Sequence, residues 1–356
     1  MDDSQRAFLD DLLATASPSG FETTAQRVWI DYVSEFADEV QTDEYGNAVA
    51  VYEGGEGEGP ELLFGGHADE IGFMVASVDD DGFVRLTPIG GADRTVSKGQ
   101  HVVVHTDDGP VNGVVGQTAI HLRGAKDEDE PENITEQHVD IGAADEEEAE
   151  ELVEVGDPIT VATDVHDLQG TRVAARGIDN RVGIWVAAEA LRRAVERDAE
   201  STVYAVSTVQ EEVGLKGARM VGYDVHPDAA VAVDVTHASD HPAYPSDLHA
   251  EIELGEGPVV ARGSTNHPEL VAATRDAADA EELDVQLQAT GVYTGTDADA
   301  FYVQRDGIPS LNLALPNRYM HTPAEVVDTD DLDAAADLLA ALAVREAGRE
   351  GFAVDL

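Results

Sequence analysis

After Arg176, apolar runs of strand length alternate with stretches of helical periodicity. The pattern predicts a helix over 179–197, a strand over 201–209 and a helix over 213–221, then strands over 229–235 and 308–315 and a helix over 329–348. Few folds are open to a chain that alternates in this way. Its strands must lie side by side in a parallel or mixed sheet, and its helices must cover the faces of that sheet.

Upstream, the texture changes twice. Residues 3–15 and 22–38 read as amphipathic helices separated by Ser17-Pro-Ser-Gly20, and 47–52 reads as a strand. The glycine-rich stretch 53–59 lacks the G-x-G-x-x-G spacing of a phosphate loop and carries glutamates that would repel phosphate, so it reads as a hairpin turn. From Ile71 to Thr163 short β-like runs such as His101-Val-Val-Val-His and Pro110-Val-Asn-Gly-Val-Val are punctuated by glycine and proline. The fold expected is α/β: a mixed central sheet flanked by helices, formed by residues 1–70 and 164–356 and interrupted by a small β-barrel-like insert at 71–163. Within the insert the charge run 126–133 reads as a solvated loop.

Charge narrows the choice of partners. With 21 basic against 73 acidic side chains, a net charge of −52 would repel phosphate backbones and anionic lipid surfaces, which argues against nucleic-acid and membrane partners. The acidity is interleaved with regular apolar runs, so it reads as a solvated surface over a packed core rather than as disorder. The only lysines are Lys98, Lys126 and Lys216, and an acidic, lysine-poor surface resembles that of proteins from salt-accumulating halophiles. At such salt the Debye length falls to about 3 Å and self-repulsion is screened. The acidic N-terminus and the lack of any apolar run near the roughly 20 residues of a membrane helix give the cytoplasm as the expected compartment. Cysteine is absent, so a metal would have to be held by oxygen and imidazole.

In open α/β sheets, sites form outside the carboxyl ends of the strands. The run from Glu61 ends in His67-Ala-Asp69-Glu70, in which His67 is a candidate metal ligand and Asp69 the carboxylate that orients its other ring nitrogen. The run from Thr202 ends in Gln210-Glu211-Glu212, where one glutamate would ligate and the other stay free as a base. Ala229-Ala-Val-Ala-Val leads to Asp234, the run 308–315 leads to His321, and Asp179 stands where a long helix opens. Singly, none of these is distinctive. Together, His67, Asp179, one of the two glutamates, Asp234 and His321 offer three carboxylates and two imidazoles, which suits two divalent cations such as zinc, cobalt or manganese if one carboxylate bridges them. His101, His105, His237 and His241 read as structural or surface residues.

Taken in order, His67-Ala-Asp-Glu, Asp179-Asn-Arg, Glu211-Glu212, Val233-Asp234-Val-Thr, Tyr293-Thr-Gly-Thr-Asp-Ala298 and Met320-His321-Thr-Pro resemble the motifs of the tetrahedral (TET) aminopeptidases, also called glutamyl or deblocking aminopeptidases. The insert adds Ile89-Gly-Gly, Gly113-Val-Val-Gly116 and Val139-Asp-Ile-Gly-Ala143, so the resemblance covers nearly the whole chain. It departs mildly at Ala68, where a larger apolar residue is common. The resemblance implies that Asp179 bridges two metals, that His67 and Asp234 complete one site and Glu212 and His321 the other, and that Glu211 is the general base. It also implies a cis peptide between Asp179 and Asn180. Peptides with a free N-terminus would be the substrates. The insert would mediate dimerisation, with dimers assembling into a hollow dodecamer.

Two other readings stand beside this one. One is a different hydrolase on the same scaffold, a deacylase or an endoglucanase; glycoside cleavage needs two carboxyls about 5 to 9.5 Å apart and no metal pair. The other is a non-catalytic assembly protein, which would tolerate damaged ligands or a missing base.

Overall fold

Valine and alanine fill the strand runs of this chain, and both faces of its central strands are covered, as expected for parallel pairing. The computed structural model describes residues 1–55, 59–123, 131–245 and 251–356. The expected hairpin turn at 53–59 and the charge run at 126–133 lie partly outside the described residues.

The chain opens with helices α1 (Asp3–Ala14) and α2 (Thr23–Val33), followed by strands β1 (Glu39–Thr42), β2 (Ala48–Tyr52) and β3 (Glu61–His67). Six strands then close on themselves: β4 (Gly72–Val78), β5 (Val84–Ile89), β6 (His101–Thr106), β7 (Gly109–Val115), β8 (His138–Asp140) and β9 (Pro158–Val161), with the short α3 (Glu146–Glu150) between the last two. There follow β10 (His166–Asp167), β11 (Arg172–Ala175), α4 (Ile178–Glu196), β12 (Thr202–Thr208), α5 (Lys216–Asp224), β13 (Ala229–His237) and β14 (Val259–Arg262). The chain finishes with α6 (Pro268–Glu281), β15 (Gln286–Ala289), α7 (Ala298–Phe301), β16 (Ser310–Asn317), β17 (Glu325–Asp328) and α8 (Thr329–Arg345).

The main sheet has eight strands in the order β1-β2-β12-β3-β13-β16-β14-β15. Its centre, β12-β3-β13-β16, is parallel, and antiparallel pairings of β2 with β12 and of β14 with β16 mark where the margins begin. The sheet is therefore mixed, as the alternation implies. All four central strands point their carboxyl ends to one edge.

One face of the sheet carries the larger core, where Trp29, Trp185 and the leucines of α1 and α8 meet the strands. The other face packs α5 and α7 through Val221, Ala298 and Phe301 against Leu63 and Val206. Helix α4 is buried along nearly its whole length. It approaches β3 so closely that a Cβ on Gly66 would stand 2.6 Å from the backbone carbon of Gly183. Gly66 lets β3 and α4 touch backbone to backbone, and Gly183 leaves room for the Val233 carbonyl of β13, 2.5 Å from where a Cβ would stand, which together fix where the first turn of α4 sits. The barrel has a separate interior of Phe73, Val75, Leu86, Val104, Val139 and Ile159.

Helix α5 begins at Lys216 rather than 213, because Gly214 (φ +118°) and Leu215 (φ +56°) still belong to the turn that follows the glutamate pair. Helix α2 ends at Val33 rather than 38 and α8 at Arg345 rather than 348, and strand β13 runs on to His237. No described helix is long and apolar enough to cross a membrane.

Candidate metal centre

The carboxyl edge of the central strands brings all five expected ligands together. His67 closes β3, Asp234 lies three residues before the end of β13, Glu211 and Glu212 follow β12, His321 follows β16, and Asp179 lies in the first turn of α4. Asn180 ties that turn to the sheet: its amide nitrogen donates to the Val233 carbonyl at 2.8 Å, and its side-chain oxygen accepts from Gly183 N at 3.0 Å. The peptide between Asp179 and Asn180 is cis.

Asp179 occupies the middle of the cluster. Its Oδ1 lies 3.2 Å from Nε2 of His67 and its Oδ2 3.3 Å from Nε2 of His321, so each carboxylate oxygen faces a different imidazole. On one side Asp234 Oδ1 is 3.8 Å from His67 Nε2, and on the other Glu212 Oε1 is 3.4 Å from His321 Nε2. Two triads, His67-Asp179-Asp234 and Asp179-Glu212-His321, each have ligand atoms within 4.8 Å of one another, and they share Asp179. The ligand atoms of a third triad, His67, Glu211 and Glu212, lie equally close, with Glu211 Oε2 3.7 Å from His67 Nε2.

The electrostatics of the cluster call for positive charge. Burial pushes Glu211 up to about 10, with Asp234 and Asp297 adding to the effect against the opposing charge of His67. Burial likewise raises Asp234 well above the carboxylate range and raises Glu212, with Asp179 reinforcing both. Hydrogen bonds to Asp179 and Glu212 lift His321 to about 11. Burial opposes charge on His67, but Glu211, Asp179 and Asp69 overcome it and hold the imidazole well above its usual value. Asp179, buried but pinned between two imidazoles, stays well below its usual value. A buried group of carboxylates that gathers protons in this way is short of cations. With only oxygen and imidazole donors on hand, the set fits divalent metal ions.

A surrounding layer holds these side chains in place. Nδ1 of His67 makes its shortest contact, 3.1 Å, with the backbone carbonyl of Asp69, and the Asp69 carboxylate lies 3.4 Å away. That carboxylate accepts from Ser19 Oγ at 2.6 Å and from the amides of Glu211 and Glu212 at 2.9 and 3.1 Å. Asp69 thus fixes the glutamate turn as well as the histidine. Glu22 accepts from the Gln210 amide at 3.1 Å, so two buried carboxylates hold three successive amides.

Glu325 spans the other half: one oxygen accepts from Asp179 N and the other from His321 N, both at 2.8 Å. Asp297, in the Tyr293 motif, accepts from Thr208 Oγ1 at 2.6 Å. Sequence reasoning gave no role to Glu22, Asp297 or Glu325. Of these only Asp297 lay in a motif that could have pointed to it. His237, read as a structural or surface residue, ends β13 and lines a cavity of about 570 Å³ beside the cluster, where burial and then His321 lower its pKa. His105 instead pairs with Thr160 Oγ1 at 2.8 Å in the barrel.

Comparison with known proteins bears on what such a cluster does. Residues 46–338 match the family described as M42 glutamyl aminopeptidase. The chain belongs to that family. M42 enzymes are metal-dependent peptide hydrolases, and this M42 chain is 34% identical over 335 residues to the lysyl aminopeptidase of Pyrococcus furiosus, covering 93% of this chain and 94% of that one. Among solved structures, the TET aminopeptidase from a marine sediment archaeon of the Thaumarchaeota superposes with a TM-score of 0.90 at 32% identity, covering 97% of each chain. The TET1 peptidase of Pyrococcus horikoshii, described as able to assemble into a tetrahedron or a large octahedral shell, gives 0.85 at 31% identity over 96% of this chain and 99% of that one.

Proposed function

We propose that the chain is an aminopeptidase that removes N-terminal residues from peptides with a free amine by a two-metal mechanism with Glu211 as general base. The observation that carries this reading is the division of Asp179, whose two oxygens face different imidazoles and make it common to two triads. His67 and Asp234 would complete one metal site, and Glu212 and His321 the other. Zinc or cobalt fits the mixed imidazole and carboxylate donors, and manganese is a further candidate.

Bound there, a pair of divalent cations supplies a lowered water pKa and a polarised carbonyl. Glu211 takes the proton from the attacking water and delivers it to the departing amine, since a carboxylate at this position can serve as base and then as acid. Asp69 holds the backbone of both glutamates, and so sets where that base stands. Glu325 does the same for Asp179 and His321.

The barrel, taken with its flanks as residues 71–163, is part of this reading as the contact between copies in a homo-oligomer, a dodecamer built from dimers. The assembling TET neighbour and the closed, separately cored barrel support it. A high-salt setting is part of the same reading, and the acidity and scarcity of lysine support it.

Protons give the first test. In metal-free protein His321 is lifted to about 11 and His67 is held well above its usual value, so the cluster favours protonated imidazoles. A metal ligand must give its proton up. Adding zinc or cobalt to metal-free protein at pH 7 should therefore release acid into weakly buffered solution, and the apparent affinity should fall as pH is lowered, because the competing proton is then more abundant. Tight binding with no proton release would contradict these ligands. The second test is hydrolysis of a panel of aminoacyl and N-acetylated peptides by metal-loaded enzyme in high salt. Cleavage should require the free amine and vanish on chelation, whereas equal cleavage of blocked peptides would remove the exopeptidase reading.

A further inference from the structure

The Ile89-Gly-Gly stretch belongs to the barrel, yet it lies against the metal cluster. Strand β5 ends at Ile89, and the chain bends at Gly90 (φ +64°) and Gly91 before it runs on toward β6. A Cβ on Gly90 would stand 3.2 Å from Cβ and 3.3 Å from Oε2 of Glu212, and 2.9 Å from Cγ2 of Ile71. A Cβ on Gly91 would stand 2.9 Å from Nδ1 and 3.1 Å from Cε1 of His321. Its own chain neighbours apart, it would meet no other heavy atom within 4 Å among the described residues. Two successive barrel residues therefore border the two ligands that share a triad with Asp179, Glu212 and His321.

The imidazole of His321 has little room to yield. Its backbone is in the left-handed region (φ +63°) and its amide donates to Glu325 at 2.8 Å, so the root of the side chain is held. Its Nε2 faces Asp179 Oδ2 at 3.3 Å and Glu212 Oε1 at 3.4 Å, which sets the other end. The barrel bend closes the Nδ1 edge. Ordinary contact begins at about 3.5 Å, so a methyl at position 91 would push the ring by about half an ångström. Metal-to-ligand distances hold only within about 0.2 Å. Gly91 has no positive φ, so its own backbone makes no demand for glycine, and the imidazole on another element does.

We propose that the Gly90-Gly91 bend is the barrel's contribution to the metal centre, a positioning element whose missing side chains let Glu212 and His321 reach one divalent ion. The proposal rests on the division of the ligands into two sites and deepens it by tying one of them to the barrel. Gly91 is the positioning residue of the Glu212-His321 site, and it acts through the imidazole alone.

The test titrates metal-free full-length protein in high salt with cobalt, in competition with a chelating indicator. Wild type should take up two ions per chain. Gly91→Ala should bind one with unchanged affinity and the other about 10- to 100-fold more weakly, the usual cost of disturbing a ligand's support. Its unfolding midpoint without metal should match wild type, because the new methyl meets only the imidazole. Gly99→Ala is the control: φ is +83° there and a Cβ would meet nothing within 4 Å, so it carries backbone strain without the contact and should keep both ions. Gly90→Ala, whose new methyl faces Glu212, should weaken the same ion and decides the matter if Gly91→Ala does not fold. A folded Gly91→Ala that binds both ions as tightly as wild type would overturn the proposal, as would equal weakening in Gly99→Ala. Wild type that binds fewer than two ions would overturn the two-site division with it. Peptide cleavage plays no part in the count, so failure of the aminopeptidase reading remains a separate result.

Discussion

Glu211→Gln should leave metal content and KM near their wild-type values and lower kcat by about 10²- to 10⁴-fold, the usual worth of a positioned general base. The substitution keeps the shape of the side chain and removes its ability to take a proton. It also leaves the Glu211 amide free to donate to Asp69, so the turn that presents Glu212 is preserved. Metal content is the decisive second reading, because Glu211 stands 3.7 Å from His67 and belongs to one of the three triads. Were Glu211 a ligand, the variant would lose metal together with turnover. Normal turnover by purified, metal-loaded variant would sink the base assignment altogether.

A loss of about 3–5 kcal/mol in unfolding free energy is expected for Glu70→Ala, since removing one partner of a buried ion pair strands the other. Glu70 is 2% exposed, and its carboxylate accepts from Arg176 Nη1 at 2.6 Å, from Arg181 Nη2 at 3.0 Å and from the Ser17 amide at 2.9 Å. Arg181 is wholly buried; its Nη2 also donates to the Thr15 carbonyl at 3.0 Å, and its Nε and Nη1 have no hydrogen-bond partner among the described residues. Burial works against charge on Glu70, but the two guanidiniums and the amide hold it at about 2, below its usual 4.5. A carboxyl depressed in this way contributes stability that is complete above the unfolded value and disappears as pH falls through the folded one. The gap between wild type and variant in denaturant titrations should therefore be widest near neutrality and narrow between about pH 4.5 and 2. A gap that is small at pH 7, or that does not change with acid, would show that the arginines find other partners.

These two residues illustrate how unevenly the site could be read in advance. His67, Asp69, Glu211, Glu212, Asp234 and His321 were legible because each follows or closes an apolar run, and strand ends in such sheets converge on one edge. The sheet itself was legible where β-branched and helical periodicities contrast. It was not legible between 238 and 307, where β14, α6, β15 and α7 lie. There the strands are four residues long, β15 alternates glutamine with small or apolar residues at the sheet margin, and α6 buries a face built largely of alanine. Such a face has little hydropathy contrast with its surroundings.

Glu22, Glu325 and Arg181 escaped for another reason. Each holds a group by a hydrogen bond across 111 to 188 residues of chain, Glu22 to Gln210, Glu325 to Asp179 and Arg181 to Glu70, and nothing local in sequence records such a partnership.

The closed barrel leaves the eight-stranded sheet complete without it, since none of its six strands pairs with a strand that carries a cluster residue. Yet its first strand begins at Gly72, five positions after His67. A substitution on the barrel's outer wall can therefore change what that wall meets without re-registering any strand of the sheet, while the barrel's root stays within a few residues of the chemistry.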